Sequence, residues 1–138
     1  MFSTKNRKHI ILDDTRQQLY SYIAMTLKNL GCIVYEIGGT DNHVHILCET
    51  PNDHLLTEII GKIKSGSSNW MKKQQNTNNF FWQRGYGVFS VSQSQKSIIS
   101  NYIKNQAEHH KKFSFEEEFK SMLRKCGLHC DEKYLWCL

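Results

Sequence analysis

The chain has 138 residues, a formal net charge of +5, 39% hydrophobic and 12% aromatic residues and a single proline. That composition excludes a disordered segment and points to one domain spanning 1–138 with a core of its own. No run of 18 apolar residues suggests a membrane span, and the opening MFSTKNRKHI lacks the apolar stretch of a secretion signal, so the expected location is the cytoplasm. The excess of lysine and arginine, spread along the chain, suits a polyanionic partner, although a solvated basic face would look the same.

Taken in order, DDTRQQLYSYIAMTLKNLG places Leu19, Tyr20, Ile23, Ala24, Leu27 and Leu30 at helical spacing, with Asp14 as the expected N-cap and Gly31 as the stop. CIVYEIG (32–38) and HVHILCE (43–49) alternate as strands do, and the short GTDN link makes them an antiparallel hairpin. A second helix follows in DHLLTEIIGKIKS, with Leu55, Leu56, Ile59, Ile60 and Ile63 expected inward and a possible continuation to Trp70 and Met71. FFWQRGYGVFSVS (80–92) reads as strand on both sides of Gly85. SQKSIISNYIKNQAEHHKK reads as one helix capped by Ser94. SFEEEFKSMLRKCG reads as another, with a Ser114–Glu117 capping box and Gly127 at its end. The sum is an α+β domain: an antiparallel sheet with helices packed on it.

Five cysteines in a chain without a secretion signal are expected as free thiols. Cys126, His129, Cys130 and Cys137 could in principle hold zinc, but their spacing fits no strong zinc pattern, and Cys126 is expected to close the apolar face of its helix.

The chemistry-bearing stretch is TDNHVHILCE. Residues two apart on a strand share a face, so His43 and His45 project together, roughly 7 Å apart along the strand, with Val44, Ile46 and Cys48 directed to the core. Two imidazoles so placed can reach one metal ion, or can form a polar strip facing water. Tyr102 and Gln106 are four apart and share a helical face. On pattern alone, Tyr102 reads first as an amphipathic core residue with its hydroxyl at the rim.

The blocks GGTDNHVHIL, FFWQRGYGVFSVSQSQ and YIKNQAEHHKK, in this order and at these separations, with SFEEEF and DEKYLW beyond them, resemble the single-tyrosine transposases of small bacterial insertion sequences. These are HUH nucleases, named for the histidine–hydrophobic–histidine tripeptide. The resemblance implies a ferredoxin-like or RRM-like domain with the nucleophilic tyrosine on a C-terminal helix. It implies a divalent metal bound by His43, His45 and Gln106, and Tyr102 as the nucleophile that forms a 5′-phosphotyrosine. It implies single-stranded DNA with hairpin ends as substrate, and a homodimer in which one subunit's tyrosine helix can complete its partner's site. Members of the family carry strand residues ahead of the stretch matching FSTKNR, so the first strand here is expected to be short or cut back.

Three neutral ligands would leave the ion its full charge to act on a phosphate. Mg²⁺ or Mn²⁺ is expected, Mn²⁺ suiting imidazole better, and zinc would also bind the histidines. His109 and His110 are rival third ligands. Because a free tyrosine is almost wholly protonated at neutral pH, activation must come from the metal, from Lys104 or Lys111, or from the substrate. For DNA contacts, Lys62 and Lys64 suit phosphates, and Arg84 and Tyr86 suit phosphate and unpaired bases, with Phe81 and Trp82 expected in the core. Two other readings fit parts of the sequence: a non-catalytic nucleic-acid binder, which leaves the histidine pair and the Tyr102–Gln106 spacing to chance, and a domesticated HUH endonuclease using the same chemistry.

Overall fold

The structure, a computed structural model, describes residues 1–135 without the side chain of Tyr134. Three strands form an antiparallel sheet: β1 (Phe2–Ser3), β2 (Ile33–Gly39) and β3 (His43–Glu49), in the order β1-β3-β2. The two longer strands are the expected hairpin, with a register irregularity between Val34 and Glu36. β1 is as short as anticipated and pairs Phe2 with Val44 and Ser3 with His43.

The stretch 80–92 is not the pair of strands its aromatic and β-branched residues suggest. Its ladder to β1 is a single bridge, Thr4 to Trp82. Around that bridge it runs extended along the free side of β1, with Lys5 N–H donating to the Phe81 carbonyl and Gln83 N–H to the Ser3 carbonyl at 2.8 Å each. β1 is too short to template more than this.

Helices α1 (Asp13–Asn29) and α2 (Leu56–Gln74) cover one face of the sheet. Leu19, Tyr20, Ile23 and Leu27 of α1 and Ile59, Ile63 and Met71 of α2 join Val44, Phe2, Phe80 and Trp82 in the core. Trp82 meets Phe2 and Phe80 edge to face and donates its indole N–H to Ser67 Oγ at 2.9 Å. α1 begins two residues earlier than expected, with Leu12 at the N-cap position, so Asp14 lies in its first turn rather than capping it, and Gly31 (φ +82°) ends it. α2 does run past Trp70 and Met71, but Leu55 and Leu56 are exposed, because they sit at its start, beyond the edge of the sheet.

The other face of β3 receives the C-terminal helices α3 (Lys96–Lys104), α4 (Gln106–His109) and α5 (Phe115–Lys125), followed by the single turn α6 (Glu132–Leu135). The expected single helix from Ser94 is in fact two. Ser94 lies in a 3-10 turn ahead of α3 and makes no cap, and Asn105 (φ −95°, ψ 19°) interrupts the helix between Ile103 and Gln106. α5 carries the complete capping box between Ser114 and Glu117, and Gly127 (φ +69°) follows its end. Cys126 is exposed rather than sealing the apolar face of α5, since Phe115, Glu118 and Leu123 occupy that face. Cys32, Cys48, Cys126 and Cys130 are free thiols; Cys137, the fourth member of the conceivable zinc set, lies outside the described residues.

Candidate functional site

The alternation of β3 turns His43 and His45 onto the face away from the α1–α2 core. That face is not wet: α3, α4 and α5 bury it, leaving His43 with no exposure and His45 with 5%. The solvent-facing strip is therefore ruled out. The two rings lie 5.2 Å apart between centroids, and His43 also packs against Phe115 and His110.

α3 reaches the strand pair through a close approach at Gly38, opposite His45 in the register, and this sets Tyr102 beside His45 with ring centroids 5.9 Å apart. One turn on, despite the break at Asn105, Gln106 is buried with its Oε1 2.9 Å from His43 Nε2. His43, His45, Tyr102 and Gln106 thus converge within one chain.

At the centre of this group stands a residue that sequence reading did not single out. Glu118 of α5 is 4% exposed. Its Oε1 accepts the Tyr102 hydroxyl and the Gln106 amide N–H (3.0 Å), and its Oε2 lies 2.8 Å from His110 Nε2. His45 Nε2 is 3.2 Å from Oε1, and His43 Nε2 is 3.7 Å from Oε2. The signal was present in the sequence: three and four residues after a buried helical position is again a buried position, and Glu118 follows Phe115 by three.

The electrostatics favour uncharged imidazoles. Burial pulls the His43 pKa down to about 2 and that of His45 to about 3, with neighbouring positive groups adding to the effect. Burial lowers His109 and His110 in the same direction and raises the Glu118 carboxyl to about 8. The His43 tautomer is fixed from behind. Asn42 donates its amide N–H to the Arg7 carbonyl (3.3 Å), so its Oδ1 faces His43 Nδ1 at 2.7 Å and must accept a proton from it. A neutral His43 then presents the bare lone pair of Nε2 to Gln106 Oε1, which is also an acceptor.

Two acceptors 2.9 Å apart in a buried site could serve together as ligands of a cation. Neighbouring ligands of an octahedral ion with bonds of about 2.1 Å sit roughly 3 Å apart, so the spacing suits Mg²⁺ or Mn²⁺. Among the described residues, the ligand atoms of His43, His110 and Glu118 likewise lie within 4.8 Å of one another.

The cations named for activating Tyr102 are engaged elsewhere: Lys104 pairs with Glu36 (3.6 Å) and Lys111 with Glu108 (2.7 Å). The phenol instead contacts Glu118 and, at 3.4 Å, His109 Nε2. Of the residues considered for DNA, Lys62 and Arg84 are exposed. Lys64 spends its ammonium on the carbonyls of Gln83, Arg84 and Gly85, holding that turn in place, and lies over the half-exposed Tyr86 ring. Trp82 is buried as expected, but Phe81 is 45% exposed, with Lys72 4.2 Å and Lys5 5.8 Å from its ring centre. Aromatic character alone does not say which of two adjacent rings faces the core.

The fold is an α+β domain whose sheet sets two buried imidazoles beside a helical tyrosine. Residues 1–106 match the family Transposase IS200 like, and the chain belongs to it. Relatives include the transposases for insertion sequence element IS200 of Salmonella typhimurium and Salmonella typhi, each 26% identical over 117 residues, covering 80% of this chain and 76% of theirs. A crystal structure of a Deinococcus radiodurans R1 protein assigned as a transposase shares the fold, with a TM-score of 0.59 at 22% identity over 76% of this chain and 85% of that one. The protein is thus a transposase, an enzyme that processes DNA. Among the described residues no helix is long and apolar enough to cross a membrane.

Proposed function

We propose that the protein cleaves and rejoins single-stranded DNA by transesterification through a 5′-phosphotyrosine, moving an insertion sequence, with the whole chain 1–138 acting as one domain. The observation that carries this reading is the meeting of the Tyr102 hydroxyl with two buried, neutral imidazoles and Gln106 in a site with more acceptors than protons.

Tyr102 Oη attacks the scissile phosphorus, the bond to the 3′ oxygen breaks, and the strand leaves a free 3′-hydroxyl. The ester on Tyr102 keeps the bond energy, so rejoining to another 3′-hydroxyl requires no nucleotide cofactor. His43, His45 and Gln106 would hold a divalent cation, Mg²⁺ or Mn²⁺, which when bound would supply neutralising charge to the phosphate. Asn42 and Thr40 keep the His43 ring turned with Nε2 toward the site. Glu118 Oε1 and His109 Nε2 are the acceptors within reach of the phenol proton. Arg84, Lys62 and Tyr86 contact the DNA outside the cleavage site. Lys64 contributes mainly by shaping the 83–85 turn. The substrate carries hairpins near the cleaved strand, and the enzyme works as a homodimer. The convergence of Tyr102 and the histidines in one chain supports cleavage in cis, with exchange of the tyrosine helix between subunits as the alternative arrangement.

The test is incubation with end-labelled, hairpin-bearing single-stranded DNA and Mn²⁺, followed by a denaturing gel. A covalent protein–DNA adduct that disappears in Tyr102→Phe is expected, as is loss of cleavage with retained hairpin binding in His43→Ala. Binding without any adduct in the wild type would instead favour a non-catalytic DNA binder.

A further inference from the structure

The carboxylate at the heart of the site comes from α5, beyond the residues matched to the family. We propose that Glu118 is a further protein ligand of the cation and at the same time the residue that positions Tyr102. Oε2 faces the ion, and Oε1 holds the phenol. The inference rests on the reading of His43, His45 and Gln106 as a cation site.

The argument starts from geometry. Glu118 is held toward the site: Phe115, one turn before it, packs on the His43 ring with centroids 4.7 Å apart, and the capping box fixes the start of α5. Its two oxygens divide the neighbourhood. Oε1 takes the Tyr102 hydroxyl and the Gln106 amide, and Oε2 looks toward His110 Nε2 (2.8 Å) and His43 Nε2 (3.7 Å). The pairing of Oε2 with His43 and His110 satisfies the spatial requirement for shared ligation, their atoms lying within 4.8 Å. No lysine or arginine side chain is recorded in contact with this carboxylate among the described residues; its partners are a phenol, an amide and imidazoles.

A carboxyl this deeply buried is costly to ionise; the Met1 ammonium offsets part of that cost, and holding the charge fully calls for a further counter-charge. A divalent ion bound beside Oε2 supplies it and resolves the clash of acceptors at His43 and Gln106 in the same stroke. The consequences differ from those of an all-neutral ligand set. One carboxylate lowers the net charge of the loaded site from +2 to +1 and adds a hard oxygen donor, which favours Mg²⁺ and Mn²⁺. It also ties α5 to β3 through the ion, so loading should tighten a helix that already holds the site by packing and by the hydrogen bonds of Glu118.

The experiment measures Mn²⁺ binding to the full chain by loss of the free-ion electron paramagnetic resonance signal, and follows amide hydrogen exchange over residues 115–125 with and without Mn²⁺. Glu118→Gln keeps the shape and an acceptor for Tyr102 but removes the charge. It is expected to weaken Mn²⁺ binding at least tenfold, and in the wild type Mn²⁺ is expected to slow exchange across α5, an effect lost in Glu118→Gln. His43→Ala is the reference. If His43→Ala abolishes Mn²⁺ binding while Glu118→Gln leaves it unchanged, this inference is overturned and the cation site stands. If neither variant changes binding, the cation reading itself is wrong, and the inference goes with it. Should Glu118→Gln not fold, the wild-type exchange decides alone: no Mn²⁺-dependent slowing of α5 overturns the proposal.

Discussion

Gly38 is the place where the catalytic helix touches the sheet most closely, and Gly38→Ala tests whether that contact sets the position of Tyr102. A Cβ added at Gly38 would lie 2.9 Å from Ile103 Cγ2, where ordinary contact begins at 3.4 Å, and closer still to the Ile103 carbonyl oxygen. The side-chain methyl can rotate away; the carbonyl belongs to the backbone of α3, so the helix itself has to move. Ile103 is the immediate neighbour of Tyr102, and a shift of up to about 1 Å passes directly to the phenol. Overpacking of this kind costs about 1–3 kcal/mol of stability, and a nucleophile misplaced by about 1 Å loses roughly 10²-fold in rate. Gly61 in α2 is the control, since a Cβ there meets nothing within 4 Å. Gly61→Ala should be neutral or stabilising by up to about 1 kcal/mol through helix propensity. Chemical denaturation gives the stability change, and the rate of phosphotyrosine adduct formation gives the catalytic one. A Gly38→Ala protein with wild-type stability and wild-type adduct rate would refute the claim that α3 is seated by the missing side chain.

Ser67→Ala leaves the buried Trp82 indole N–H without its acceptor and is expected to cost about 1–3 kcal/mol, read by urea denaturation. In the presence of a chelator, stability should fall as pH drops through 6.5. Below that value the unfolded chain protonates His43 and His45, whereas the folded one refuses those protons until about 2 and about 3 respectively. Glu118, protonated in the fold up to about 8, opposes this above pH 4.5. For these three groups the net is one extra proton on the unfolded chain between pH 6.5 and 4.5, on the order of 1 kcal/mol per pH unit. Thermal melts across that range check it, and a flat melting temperature would contradict it. Iodoacetamide at pH 8 should label Cys126 and Cys130 quickly. Cys32 is buried and the Cys48 thiol is raised to about 11, so both should react only on unfolding, as peptide mass mapping would report.

Periodicity carried the parts of this molecule that depend on one element at a time. The 2-residue repeat of HVHILCE sets both histidines on one face, and the 4-residue step from Tyr102 to Gln106 brings them to one side even across the interruption at Asn105. What depends on two distant segments was not legible. The aromatic run at 80–92 has strand composition, yet its pairing is limited by a β1 only two residues long. Phe81 and Trp82 are chemically alike, and only the position of Ser67 and Phe2 decides which one turns inward. Glu118 is one of three consecutive glutamates. Its distinction is that Phe115 and Leu123 share its face, so a charge falls where an apolar residue would ordinarily stand, and its partners are supplied from elements up to 75 residues away in sequence. Lys104, close to Tyr102 along the chain, is drawn off by Glu36 of β2, a partner that proximity in sequence could not reveal, whereas Lys111 is drawn off by Glu108 three residues before it.

His43 has no contact with solvent in the folded chain. On the proposed mechanism a DNA strand reaches it when the cover formed by α4 and α5 swings aside, which gives admission the character of a local opening equilibrium. Anything that loosens that cover, such as heat, mild denaturant or a weakened α5 cap, should first speed the encounter with substrate before it harms the fold.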